Sequence, residues 1–206
     1  MKKNQALVVV DVQNDFLEKG ALPVPAASEV VPVINKIAPL FDTVVFTQDW
    51  HPQNHISFAS QHEGGRVYEL VDVSYGKQVL WPDHCVQETV GSELAPGLDT
   101  SRCALNIKKG TNPELDSYSA FIEADRSTLT GLAEQLKERG IDEVFVCGLA
   151  TDFCVYWSAL DAVKLGFKTN LVEDACRGID IDGSIQKAIE DMKARGIHIL
   201  TSAELS

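Results

Sequence analysis

No stretch of the 206-residue chain comes near the run of about 18 apolar residues that a membrane-spanning helix needs. The apolar run Ala6–Val10 breaks at Asp11 and is too short for the core of a secretory signal. A cytoplasmic protein with no membrane partner is therefore expected. Positive charge is scarce as well: 18 Lys and Arg stand against 30 Asp and Glu, for a net charge of −12. A surface that acidic repels phosphate backbones, so no nucleic-acid partner is expected either. The five cysteines (Cys85, Cys103, Cys147, Cys154 and Cys176) are odd in number, irregularly spaced and contain no CxxC pair, which argues against a disulfide framework. Most of these thiols are expected to be buried apolar groups, Cys103 and Cys147 among them because they fall inside strand patterns. No internal repeat, low-complexity tract or linker divides the chain, so one domain over residues 1–206 is expected.

What is present is ordinary for a globular protein with a full-sized core: 45% apolar and 23% charged residues. Short β-branched runs alternate with helical patterns. Strands are predicted at Ala6–Val12, Thr43–Thr47, Cys103–Ile107, Glu143–Cys147, Lys168–Val172 and Ile197–Leu200. Helices are predicted at Glu29–Leu40, confined by Pro32 and Pro39, and at Leu129–Arg139, Asp152–Leu165 and Ser184–Arg195, each of these three stopped by a glycine. Nearly all-apolar strands alternating with helices indicate an α/β fold of three layers, α/β/α, around a mostly parallel central sheet. The stretch from Trp50 to Thr100 breaks this rhythm. It is rich in His, Pro, Gly and Asp and holds two of the three tryptophans, so it reads as a functional segment rather than a disordered one.

Parallel sheets place their sites beyond the carboxyl ends of the strands. Asp11 follows the first strand. Gln48-Asp49-Trp50-His51 follows the second, Lys108-Lys109 the third, and Gly148-Leu149-Ala150-Thr151-Asp152-Phe153-Cys154 the fourth, opening a helix. If these strands are neighbours, a carboxylate, a metal-type cluster, a lysine and a cysteine face one crevice. Cys154 would lie in the first helical turn, with Thr151 or Asp152 as N-cap, and the helix terminus and a nearby lysine would favour its thiolate. A carboxylate within reach could take the thiol proton and return it to a leaving amine. Asp49-x-His51-x3-His55 offers one oxygen and two imidazoles within seven positions, and His84 lies in the same irregular segment. Such a donor set suits Zn²⁺, Fe²⁺ or Mn²⁺. His62 and His198 receive no role.

Taken together, Asp11-Val12-Gln13-Asn14-Asp15-Phe16, Asp49-Trp50-His51-Pro52-x-x-His55, Trp81-Pro82-x-His84-Cys85-Val86, Lys109-Gly110-Thr111, Asp116-Ser117-Tyr118-Ser119-Ala120-Phe121 and Gly148-Leu149-Ala150-Thr151-Asp152-x-Cys154-Val155 form a pattern that covers nearly the whole chain. The pattern resembles the nicotinamidase (pyrazinamidase) branch of the isochorismatase-like cysteine hydrolases. The resemblance implies the isochorismatase-like hydrolase fold and a triad of Asp11, Lys109 and Cys154, with Lys109 preferred to Lys108 because it directly precedes glycine. It implies an oxyanion site at the backbone N–H groups of Ala150 and Cys154, and a cis peptide before Ala150. One divalent ion per chain, zinc or iron before manganese, would be held by Asp49, His51, His55 and His84. Phe16, Trp81 and Tyr118 would line a pocket for an aromatic ring. The implied reaction is hydrolysis of nicotinamide to nicotinate and ammonia in NAD salvage, with pyrazinamide as a further substrate. A different small amide or carbamoyl compound is the alternative, and both a monomer and a homo-oligomer stay open.

Overall fold

The computed structural model describes residues 3–205; Met1, Lys2 and Ser206, the ends of the expected domain, lie outside the described residues. Strand β1 (Gln5–Val10) leads through helix α1 (Val30–Ile37) to β2 (Thr43–Asp49). A hairpin of β3 (Leu70–Val73) and β4 (Gly76–Val79) interrupts the connection to β5 (Cys103–Lys109). Helix α2 (Leu132–Glu138), β6 (Glu143–Leu149), α3 (Tyr156–Lys164), β7 (Lys168–Arg177), α4 (Ser184–Ala194) and β8 (His198–Leu200) follow.

Six strands make one sheet in the order β5-β2-β1-β6-β7-β8, and every adjacent pair is parallel. Every residue of β2 and β6 is buried, as are Ala6 to Val10 of β1, which is why the middles of these strands read as apolar runs. The chain steps from β1 to β2 in one direction and from β6 through β7 to β8 in the other. Right-handed crossovers then place α1 on one face and α3 with α4 on the opposite face. Both α1 and α3 pack on β7, and α3 packs on α4. The direction of winding reverses between β1 and β6, so a crevice opens at the carboxyl ends of those two strands.

Local chemistry sets the element ends. Helix α1 buries Val30, Ile34 and Ile37 at helical spacing. It is shorter than the predicted Glu29–Leu40 because Pro39 cannot donate the next helical hydrogen bond, and a tighter turn over Ala38–Leu40 takes over. Strand β1 stops at Val10, two residues before its predicted end, because Asp11 turns into the left-handed region at φ 47°. By contrast β2, β5 and β6 each run two residues beyond their predicted ends and carry Asp49, Lys109 and Leu149 as terminal residues. The hairpin β3–β4 was hidden in the sequence because each strand is only four residues long and little of it is buried. Cys103 is exposed at the start of the edge strand β5, not buried as its strand pattern suggested; Cys85, Cys147, Cys154 and Cys176 are buried.

Gly148 shows how tightly β1 and β6 meet. Its φ is +111°, and a Cβ there would lie 2.1 Å from the Val10 carbonyl oxygen. Gly148→Ala therefore forces both a strained backbone and a separation of the two central strands. We expect a loss of about 2–4 kcal/mol, read as a lower denaturant midpoint. An unchanged midpoint would mean that the strands can part there without cost.

Candidate active site

Four adjacent strand ends, β5-β2-β1-β6, carry Lys109, Asp49, Asp11 and the segment of Cys154. Asp49 and Lys109 are direct partners in the β2–β5 register. Side chains alternate along β5, so Ile107 and Lys109 are buried while Lys108 is exposed. Lys108 lies over the Trp50 ring instead, 3.3 Å from its centroid. The alternation thus selects Lys109 on geometry alone.

The Lys109 ammonium is fully buried and has four neighbours. It donates to the Asp49 carboxylate, pairs with Asp11 Oδ2 at 2.8 Å, donates to the Ser117 carbonyl at 2.7 Å and lies 3.6 Å from Cys154 Sγ. Burial alone would discharge it, but the two carboxylates outweigh burial and hold its pKa well above the usual lysine range. Ligand atoms of Asp11, Asp49 and Cys154 all lie within 4.8 Å of one another. Asp11 Oδ2 has the ion pair but no aligned hydrogen-bond donor, so that oxygen is left able to accept a proton. Burial pushes the Asp11 pKa up to about 6 against the opposing pull of Lys109. The base is therefore ionised at neutral pH yet close to the range of an efficient proton acceptor.

Cys154 departs from expectation in two ways. Burial pushes its thiol pKa up, and Lys109 opposes the shift. The turn that carries it is not capped by Thr151 or Asp152. Residues Thr151–Val155 form a π-helical turn in which Val155 N–H donates to the Ala150 carbonyl at 3.1 Å, and α3 begins after it. The Asp152 carboxylate is occupied elsewhere: it accepts from the Ile179 and Asp180 N–H groups at 3.0 and 2.9 Å and from Ser184 Oγ. The Leu149–Ala150 peptide is cis.

The metal-type residues separate into two sets. Asp49, His51 and His84 offer ligand atoms within 4.8 Å of one another, all buried. His51 Nδ1 faces the Gly110 carbonyl at 2.9 Å and His84 Nδ1 the Pro82 carbonyl at 2.8 Å. A carbonyl only accepts, so each Nδ1 carries the proton and each Nε2 turns a lone pair towards Asp49 Oδ2, at 3.7 and 3.9 Å. Two nitrogen lone pairs and a carboxylate oxygen converging in this way fit a divalent cation. His84 is held to about pKa 4 by burial and by His51, which keeps it neutral, as a ligand must be. His55 falls in the second set, where its ligand atom lies within 4.8 Å of those of His51 and Asp116, all buried. Its Nδ1 takes Ser57 Oγ at 2.7 Å and its Nε2 lies 3.2 Å from the Leu115 carbonyl, so both nitrogens are engaged. Its ring stacks on His51 at 4.0 Å between centroids. Gly110 admits this packing, because a Cβ there would lie 2.4 Å from His51 Cε1.

Phe16, Trp81 and Tyr118, with Phe153, wall a narrow cavity of about 20 Å³ that Asp49, His84, Asp116, Ala150 and Cys154 also line. Trp81 Nε1 donates to the Tyr118 hydroxyl at 2.9 Å, and Trp81 and Phe153 meet edge to face at 5.0 Å. Sequence reasoning missed several residues here. Gln13 bonds the Asp49 backbone through both ends of its amide, at 2.8 Å each. Asp15 Oδ2 accepts from Cys85 N–H at 2.7 Å, which fixes the loop that bears His84. Asp116 accepts from Gln78 Nε2 at 2.7 Å and places a second buried carboxylate, beside Asp49, in the cavity. Their signal was their place inside the quoted motifs, without a role attached.

A buried thiol, a buried carboxylate and an ammonium at neighbouring strand ends define a cysteine hydrolase of the three-layer α/β class. The isochorismatase domain family matches residues 5–204. A nicotinamidase of Acinetobacter baylyi is 52% identical over 202 residues, covering 98% of this chain and 94% of that one. A nicotinamidase of Escherichia coli is 43% identical, covering 97% and 96%. A solved structure described as a nicotinamidase and pyrazinamidase of Acinetobacter baumanii superposes with a TM-score of 0.99 at 53% identity, covering all of both chains. A pyrazinamidase of Pyrococcus horikoshii in complex with zinc superposes with a TM-score of 0.78 at 38% identity, covering 96% and 99%. The chain belongs to the isochorismatase family, and the two curated relatives named here are nicotinamidases.

The site generates two expectations. In the metal-free protein Asp11 should titrate near pH 6, protonated below and ionised above, as followed by the ¹³C shift of its carboxyl carbon. Because the folded value lies above the unfolded one, this group favours the folded state most at low pH and progressively less as pH rises from about 4 to about 6. A midpoint at or below 4 would mean that Lys109 outweighs burial. The second concerns the ligands: His84→Ala should lose the metal, measured as metal content after dialysis against a weak chelator. His55→Ala should keep it, with affinity lower by on the order of 10- to 100-fold, as for a residue behind a ligand. Equal loss in both variants would restore His55 to the ligand set.

Proposed function

We propose that the chain hydrolyses nicotinamide to nicotinate and ammonia, with Cys154 as nucleophile, Asp11 as base and acid, and Lys109 as the charge that couples them. The carrying observation is the juxtaposition of Cys154 Sγ, the Asp11 carboxylate and the Lys109 ammonium, with Cys154 lining an aromatic-walled cavity. The ring of the substrate lies between Phe16 and Trp81, beside Tyr118. Asp11 Oδ2 takes the thiol proton as Sγ attacks the amide carbon. The backbone N–H groups of Ala150 and Cys154 receive the oxyanion, a contribution of several kcal/mol in sites of this kind. Asp11 returns its proton to the departing nitrogen, and ammonia leaves. Asp11 then activates a water against the thioester, which releases the acid and restores the thiol. Lys109 balances whichever of the two groups is anionic.

The chain holds a divalent metal ion, for which Asp49, His51 and His84 are the ligands. We favour zinc or iron over manganese. When bound, the ion supplies a Lewis-acid site for the pyridine nitrogen, which would orient the ring. The proposal places the enzyme in the cytoplasm, in keeping with five unpaired cysteines. Among the described residues no helix is long and apolar enough to cross a membrane.

Ammonia release from nicotinamide before and after chelation tests the reading. Cys154→Ala should retain the fold by circular dichroism and lose turnover by on the order of ten-thousand-fold or more. Pyrazinamide, which keeps the ring nitrogen, should be hydrolysed well. Benzamide, which lacks it, should be a poor substrate. Benzamide turnover equal to that of nicotinamide would remove the ring nitrogen from the recognition scheme, and an active Cys154→Ala would sink the covalent mechanism.

A further inference from the structure

We propose that Thr47 is the positioning residue of the catalytic base, an inference that rests on the reading of Asp11 as the proton acceptor. Thr47 lies on β2, fully buried and two residues before Asp49. Its hydroxyl makes two hydrogen bonds, both to Asp11. It donates to Asp11 Oδ1 at 2.6 Å and accepts from the Asp11 backbone N–H at 3.1 Å. One hydroxyl thus grips the main chain and the side chain of the same residue.

The grip has two consequences. Asp11 sits at φ 47°, a backbone region that residues with a Cβ avoid. The N–H that β1 would otherwise carry onward is captured by Thr47, which holds the chain in this turn. The second consequence concerns the two carboxylate oxygens, which chemistry alone would make equivalent. Oδ1 already receives a hydrogen from Thr47, which disfavours a second proton there. Oδ2 faces Lys109 and has no aligned donor. Thr47 therefore fixes which oxygen takes the Cys154 proton and where it points, while touching neither substrate nor thiol. Without the hydroxyl, the carboxylate could rotate about its Cα–Cβ and Cβ–Cγ bonds, and the two oxygens would compete for the ammonium.

Thr47→Val preserves shape and deletes the hydroxyl; Thr47→Ser keeps the hydroxyl and deletes a methyl. In the metal-loaded enzyme we expect Thr47→Val to lower kcat by on the order of 10- to 100-fold, with KM within about twofold, and Thr47→Ser to recover most of the rate. Should Thr47→Val fail to fold, Thr47→Ala takes its place with the same expectation. The same substitution is made in an Asp11→Asn background, where it should bring no further loss, since the carboxylate it positions is gone. Thr47→Val with wild-type kcat overturns the inference. So do equal losses in the Val and Ser variants, or losses that add to that of Asp11→Asn, because either marks a packing role. If Asp11→Asn alone kept full activity, the reading of Asp11 as base would fall and the inference with it. If Asp11→Asn is crippled while Thr47→Val is not, only the inference falls.

Discussion

One buried ammonium holds the catalytic end of this protein together. Lys109 is out of water, and it stays charged only because Asp11 and Asp49 stand on either side of it. The dependence is mutual. Asp49 is held well below the usual carboxylate range because Lys109, with His51 and His84, outweighs a burial that would otherwise protonate it. Removing one partner of such a cluster leaves an uncompensated buried charge, which typically costs about 3–5 kcal/mol. The lysine also joins two chemistries. One of its carboxylates belongs to the nucleophile's side of the site, the other to the metal's. Neither half can be rearranged without altering the field felt by the other.

Around this cluster the fold supplies exclusion and alignment. The segment between β2 and β5 closes over the strand ends, tied to the frame by Trp50 N–H to the Lys109 carbonyl and His51 N–H to the Cys85 carbonyl. It brings His51, His84, Trp81 and the hairpin residue Gln78 to the cavity. Asp11 to Phe16 does the matching work from the other side, with Gln13 and Asp15 clamping the backbones of Asp49 and Cys85. The upward push that burial gives the Cys154 thiol pKa reflects the same closure. A site dry enough to suppress the thiolate also leaves it unsolvated when Asp11 takes its proton, and an unsolvated thiolate beside an ammonium is a well-aimed nucleophile.

Much of this was legible in the sequence. The nearly all-apolar strands predicted at Ala6–Val12 and Glu143–Cys147 announced a doubly covered parallel sheet, and the residues beyond the strands announced the site. What was not legible depended on position in space. The pattern Asp49-x-His51-x3-His55 gives no sign that His55 turns both nitrogens to Ser57 and Leu115. The predicted strands stop at Thr47 and Ile107, although Asp49 and Lys109 are the final rungs of the ladder. The N-cap expected of Asp152 failed because three donors from the β7–α4 connection claim its carboxylate. Cys103 reads as an interior residue in a strand pattern, but an edge strand has an outside.

The strand order β5-β2-β1-β6 has a bearing on how the molecule comes into being. β1 is made first, yet one of its two neighbours, β6, starts at Glu143. Until that strand has been synthesised, β1 has an open edge, and the crevice between β1 and β6 has only one wall. The partners of the Lys109 ammonium come from residues 11, 49, 117 and 154, so most of the chain must be in place before it is neutralised. Contacts of such long sequence separation make folding slow and late to commit. They also mean that partly built chains carry no competent thiol, and that catalytic activity is a report of complete assembly.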